Sequence, residues 1–199
     1  GSGTTVDYVQ VHRNADDGIE FFGGTVNASH LVLTHIEDDS LDWTQGYDGN
    51  LQYVIIQQIQ DDTVDTDRGM ELDNLEQNFD AMPRSGGTMA NFTLIGKAGE
   101  LGINPRRGTS GHFSNFIVTG FSNCLDIDDT ATFDVAVVAR NSEPGTKDKA
   151  LALPTELLGS EYYVLAEIPI IQAMGVRGAM ALDTTDIGLS VDHCECLFF

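Results

Sequence analysis

The chain has 199 residues, 41 % of them hydrophobic, with 21 glycines and 31 acids against 10 bases for a net charge of −21. That apolar content excludes a disordered chain, and the acidity argues against nucleic acid or an anionic membrane as a partner. No apolar run reaches the roughly 18 residues of a spanning helix, so no membrane span is expected. The charge suits cations, basic partners or simple solubility. The chain opens at Gly1-Ser2-Gly3-Thr4 and runs directly into a strand pattern with no visible signal peptide. It reads as the mature part, or an internal fragment, of something longer.

Short Val/Ile/Leu runs alternate with Gly, Asn, Asp and Thr, the mark of many short strands and turns. Taken in order, the runs repeat. Val9/Val11 are followed by Leu31/Leu33, Val54/Ile56, Phe92/Leu94 and Phe116/Val118, in steps of 22, 23, 38 and 24 residues. A second ladder runs through Ile19, Leu41, Met70, Ile103 and Ile127, in steps of 22, 29, 33 and 24. The separation within a unit is 8 residues in the first two units and 9 in the last two; only the third departs, with 14 from Ile56 to Met70. Two insertions explain the irregular steps, an acidic one at 60–66 and a second around 74–87. Val64 offers another register for the third rung, but Gly69-Met70-Glu71 matches Gly18-Ile19-Glu20 better.

Within each unit the alternation has period two. Val9 and Val11 face one way and Gln10 the other; Ile19 and Phe21 face one way and Glu20 the other. A repeat of this length built from short strands is one coil of a solenoid, because no unit buries its apolar face alone. Strands of successive coils then stack as parallel sheets about 4.8 Å apart. A leucine-rich repeat would need its Leu/Asn pattern and a helix per unit. An antiparallel sandwich would need hairpin turns every 8–12 residues or so. After Asp129 the pattern decays. Residues 131–140 read as one more coil strand, 141–149 as a polar loop, 150–159 as helical in composition and 162–173 as an apolar segment of either type. Residues 178–191 read as strand, turn at 183–186, and strand. The division expected is coils over 1–140 and a capping or side-packing segment over 141–199.

Residues 4–24, 26–43 and 90–96 resemble right-handed parallel β-helix proteins of the pectate-lyase-like superfamily. They are most similar to secreted or lipoprotein-type β-helix proteins of environmental bacteria with no assigned activity. The resemblance implies an all-β solenoid of about five or six coils with a C-terminal cap, and an extracellular or cell-surface location. It does not select a function, since the fold serves lyases, hydrolases, adhesins and spikes alike.

The candidate chemistry lies in the acids. If the second ladder points inward, Glu20, Asp42, Glu71, Asn104 and Asp128 form an outward column. Asp16/Asp17 and Asp38/Asp39 sit at the turn leading into the same strands, with Asp67 and Arg68 beside them. Carboxylates one strand spacing apart raise each other's pKa unless a cation intervenes. An oxygen-rich cluster suits Ca²⁺, with Asp16, Asp17, Asp38, Asp39 and Asp67 as ligands. The plain alternative is that the turn aspartates cap backbone N–H groups with no metal.

Polygalacturonase-type hydrolases of the superfamily carry Asn-Thr-Asp, then Asp-Asp one coil later, then Gly-His-Gly and Arg-Ile-Lys. Here Asn14-Ala15-Asp16 and Asp38-Asp39 have that spacing, which would make Asp16, Asp38 and Asp39 the acid and base of an inverting hydrolysis. The next coil offers Arg68-Gly69-Met70 without a histidine, and Arg106-Arg107 replaces the Arg-Ile-Lys only loosely. A lyase would use an arginine base, for which Arg106 or Arg107 is placed. Of the aromatic residues Phe21, Phe22, Trp43, Tyr47 and Tyr53, the phase puts Phe21 and Trp43 in the core. Tyr47, in a Gly-flanked turn, is the surface candidate for stacking on a sugar. His12 and His35 are placed to flank one turn. Three cysteines allow one disulfide, from Cys124 to Cys194 or Cys196, tying the tail to the last coil.

The expected role is therefore structural or binding, resembling an adhesin or assembly module, with Ca²⁺ as stabiliser. Glu20, Asp42, Tyr47, Glu71, Arg106 and Arg107 are its binding residues. A polysaccharide or cell-surface component and a second copy stacked on the uncapped first coil are the expected partners. The alternative is a polysaccharide hydrolase or lyase.

Overall fold

The structure is a computed structural model describing residues 1–61, 65–141, 181–183, 188–192 and 195–198, with side chains as far as residue 135 outside the gap. Ten strands come first: β1 (Val6–His12), β2 (Ile19–Gly24), β3 (Ala28–Thr34), β4 (Leu41–Tyr47), β5 (Asn50–Gln57), β6 (Met70–Asp73), β7 (Thr88–Ile95), β8 (Leu101–Arg106), β9 (His112–Thr119) and β10 (Asn123–Ile127). Odd-numbered strands pair in the order β1-β3-β5-β7-β9 and even-numbered ones in the order β10-β8-β6-β4-β2. Every pairing among these ten is parallel. The chain thus climbs through five strand pairs, each laying one strand on either sheet: a parallel β-helix.

The apolar ladders are its registers. Val9, Leu31, Val54, Phe92 and Phe116 align rung by rung, as do Val11, Leu33, Ile56, Leu94 and Val118. In the second sheet Ile19, Leu41, Met70 and Ile103 align, so neither insertion shifts the strand register. The last rung differs from expectation: Leu125, not Ile127, lies opposite Ile103. The turn from β9 to β10 is two residues tighter than the pattern of the preceding coil, and Ile127 enters the core two positions further along. The tight approach is visible at Gly102, where a Cβ would meet the Cys124 carbonyl at 2.6 Å.

A third inward ladder escaped the sequence pattern. Val6, Ala28, Leu51, Met89 and Phe113 align in the first sheet. The step from each to the next inward position is three residues rather than two. The cause is a column of left-handed residues, Tyr8, His30, Tyr53, Asn91 and Asn115, with φ from 52° to 62°. Each bends its strand and resets the alternation, so two consecutive side chains point outward. Tyr8, His30 and Tyr53 stack ring on ring along this column, at 4.3 and 5.0 Å. Further along the column, Asn115 Nδ2 donates to Asn91 Oδ1.

The core between the sheets is filled by stacked rings, Phe92 on Phe116 at 4.7 Å and Phe21 on Tyr47 at 4.5 Å. Trp43 is fully buried, its indole N–H donating to Thr109 Oγ1 at 3.0 Å. Tyr47 is buried too, which corrects its assignment as a surface sugar platform. Gly46 turns the chain inward with φ of 80°, and the phenol donates to the Val26 carbonyl at 2.7 Å.

Residues 131–140 do not form a coil strand. They belong to α1 (Thr130–Asn141), because Asp129 Oδ1 accepts the Thr132 N–H at 2.8 Å and caps a helix start. Three further strands follow: β11 (Ala181–Asp183), β12 (Gly188–Asp192) and β13 (Glu195–Phe198). β11 and β12, within the two strands read over 178–191, pair antiparallel; β12 adds to β10 and β13 to β9, both antiparallel. The readings of 142–180 lie outside the described residues. Truncating Phe92 to Ala should cost about 3–5 kcal/mol, read as a lower urea midpoint at unchanged slope. A change below about 1 kcal/mol would mean that the ring stack does not hold the coils together.

Candidate functional site

The outer face of the even-numbered strands is built by the period-two rule. With Leu41 and Trp43 inward, Asp42 and Thr44 point out; with Met70 and Leu72 inward, Glu71 and Asp73 do. Glu20, Asp42, Glu71 and Asn104 stand in one register column. Below it, Asn104 Nδ2 donates to the Asp126 carbonyl at 3.0 Å and to Asp128 Oδ2 at 3.4 Å. Asp128 therefore joins through the amide rather than as the next rung, a consequence of the shifted last strand.

The column is not an exposed acidic edge. Asp42 and Glu71 are each 8 % exposed and Asn104 is fully buried, because arginines and turn aspartates close over them. Arg68, in the turn before β6, reaches Asp67 at 2.6 Å, Glu71 at 2.9 Å and, through Nε, Asn104 Oδ1 at 2.9 Å. Its backbone N–H donates to Asp39 Oδ1 at 2.9 Å. Arg106 lies over β6, paired with Glu71 and with Asp73 at 2.9 Å. Arg107 takes the other Asp73 oxygen at 2.6 Å and reaches Glu76 at 3.4 Å. Both arginines named from the sequence are therefore bound into ion pairs. Asp73, which the sequence reading passed over, is the hub between them. Its signal was its place two residues after Glu71 on the same strand face.

Towards β2, among the described residues, Glu20 and Asp42 of the column have no arginine ion pair. The five turn aspartates expected to share one site divide into groups: Asp16/Asp17/Asp38 and Asp38/Asp39/Asp67, each with carboxylate oxygens within 4.8 Å of one another. A third group, not foreseen, joins Asp17 to Glu20 and Asp42 within the same limit. Asp17 Oδ1 accepts the Asp39 N–H at 3.2 Å, so a turn aspartate does cap the next coil. Asp42 Oδ1 is buried and has no hydrogen-bond partner among the described residues.

Burial and crowding of like charge set the protonation of these acids. Burial first, then Glu20, Asp38 and Asp16, lift Asp17 to about 7. Burial and then Glu71 raise Asp39 well above the carboxylate range, against the pull of Arg68. Asp42 rises furthest, through burial and then Glu71, Glu20, Asp17 and Asp39. Burial raises Glu71 as well, with Arg106 and Arg68 opposing it.

A family model described as a pectate-lyase like beta helix domain matches residues 1–151. The chain belongs to that family. No curated protein and no solved structure matches it. In this β-helix domain the aromatic residues sort by sheet. Phe22, beside Thr44 on the outer face of β2, is 63 % exposed. Tyr53 belongs to the other sheet, against His30. His12 and His35 come together with ring centres 5.1 Å apart at the turn where the first sheet ends. Cys124 is buried in β10 and disulfide-bonded; the side chains of Cys194 and Cys196 lie outside the described residues. No helix among the described residues is long and apolar enough to cross a membrane.

The raised carboxylates fix the sign of a pH effect. Asp17 titrates near 3.8 when unfolded and near 7 when folded, so between those values the native state holds more protons. Stability from this group is greatest on the acid side and falls as pH rises through 7; Asp39 and Asp42 extend the fall to higher pH. In chelator-containing buffer the melting temperature should drop steadily from pH 5 to pH 8, and Asp42→Asn should flatten the slope. A melting temperature that rises over this range would overturn the assignment.

Proposed function

We propose that the domain is a non-catalytic binding module of a secreted or cell-surface protein, taking a neutral polysaccharide along the outer face of the even-numbered strands. The observation that carries this reading is the exposed Phe22 ring beside Thr44, with Arg106 further along the same face over the buried Asp73. An aromatic face stacks on the apolar side of a sugar ring while planar polar groups order its hydroxyls. A net charge of −21 favours neutral glycans over polyuronates. The disulfide at Cys124 fits an oxidising compartment. Phe22→Ala should weaken binding to neutral glycans about three- to tenfold in affinity electrophoresis, with an unchanged fold. Absence of retardation by any neutral glycan would remove the reading.

Association with a second copy belongs to the same proposal. Among the described residues β1 and β2 each lie at one edge of their sheet, and Val6, Val9, Val11 and Ile19 are only half-buried there. Edge strands with unpaired backbone groups template further strands. Sedimentation velocity should show an average mass that grows with concentration; a single monomer boundary across the range would discard this part.

A second reading, a polysaccharide hydrolase or lyase, draws support from the raised pKa of Asp39, which keeps a carboxylic acid protonated near neutrality as a general acid requires. Of the residues proposed for it, Asp16 and Asp38 are exposed while Asp39 is buried. Sugar release from polysaccharides that disappears in Asp39→Asn would favour this reading over the first.

A further inference from the structure

We propose that Asp17, Glu20 and Asp42 form a binding site for one hard divalent cation of the Ca²⁺ type, joining the first two coils on the outer face of β2 and β4. Each carboxylate contributes an oxygen, and the three oxygens lie within 4.8 Å of one another. Ca²⁺ holds oxygens at about 2.4 Å, so ligands on opposite sides of one ion stand about 4.8 Å apart and neighbouring ones closer. Three oxygens within that distance of one another can share one coordination sphere.

The second observation is the Asp42 carboxylate. It is 8 % exposed, its Oδ1 is buried, and that oxygen accepts no hydrogen bond among the described residues. A buried carboxylate oxygen without a donor is costly to maintain. A cation seated among the three acids supplies what it lacks.

The contrast with the neighbouring rungs sharpens the assignment. Glu71 has Arg68 and Arg106, and Asp73 has Arg106 and Arg107. The Asp38/Asp39/Asp67 group already has Arg68, at 2.6 Å from Asp67 and 3.8 Å from Asp39. The charged neighbours that weigh most on Asp42 are Glu71, Glu20, Asp17 and Asp39, all acids. Among the described residues no arginine or lysine forms an ion pair with Asp17, Glu20 or Asp42. The column that Arg68 and Arg106 neutralise on β6 continues on β4 and β2 with no ion-paired arginine or lysine among the described residues. Three carboxylates without histidine or cysteine select a hard ion, and a site open on the Asp17 and Glu20 side leaves room for water to complete the shell.

Calorimetry of the chelator-treated full chain with CaCl₂ at pH 7 tests this directly. One binding event is expected, with a rise in melting temperature that grows with free Ca²⁺. Asp42→Asn and Glu20→Gln should each weaken binding about tenfold or more, because ligand charge sets affinity in such sites. Asp38→Asn, which alters the two other groups alone, should stay within about twofold. Phe22→Ala should leave Ca²⁺ binding unchanged, so failure of the glycan reading and failure of this one are separable. No heat and no melting shift at millimolar Ca²⁺ would overturn the site. Loss of binding in Asp38→Asn with retention in Asp42→Asn would overturn it equally, by placing the ion in the exposed turn.

Discussion

Parallel stacking in register is the constraint on which the rest of this molecule depends. Each coil places its residues directly over the equivalent residues of the coil before, one strand spacing away. Inside, this is favourable without further provision: Val9, Leu31, Val54, Phe92 and Phe116 bury one another, and flat rings settle face to face. Outside, the same geometry brings like charges together. A column reading Glu20, Asp42, Glu71 is a repulsive arrangement that the backbone enforces and the side chains must resolve.

The resolution differs along the column. From β6 onwards it is made by arginine. Arg68 enters from a turn, Arg106 and Arg107 from the end of β8, and Asn104 replaces the fourth acid with a neutral amide. Arg106 bridges two acids on the strand next to its own, so it neutralises charge and fastens adjacent coils at once. Among the described residues the acids on β2 and β4 face one another, and their protons or an external cation must do what arginine does below. One strip of sheet thus carries two solutions to one electrostatic problem.

The fold was legible because stacking makes repetition visible: two ladders of inward residues, at irregular intervals, gave the register of both sheets through β8. The third inward ladder was hidden by the left-handed residues before Val9, Leu31, Val54, Phe92 and Phe116. These interrupt the alternation on which pattern reading relies, and His, Tyr and Asn do not announce positive φ as glycine does. The last rung slipped from Ile127 to Leu125 because a tighter turn is silent in a pattern of apolar spacings. Of the site, the sequence placed the acids in their column. It did not place the depth at which they lie, which depends on arginines folded back from other coils. Tyr47 failed as a surface residue for a related reason, since the bend at Gly46 carries its ring into the core.

The direction of the hydrogen bonds gives the solenoid a mechanical character. Strands run across the axis, so the bonds between coils run along it. Tension applied end to end therefore loads all the bonds of one coil interface together instead of peeling them singly. The interfaces are then links in series, and the chain of links yields at its weakest. Between β6 and β8 the bonds are doubled by Arg106 and Arg107 acting along the same axis. Between β2 and β4 the backbone ladder acts with an electrostatic opponent across it. Under load the described coil interfaces differ, and the first to open is set by the charge on its outer face as much as by the packing within.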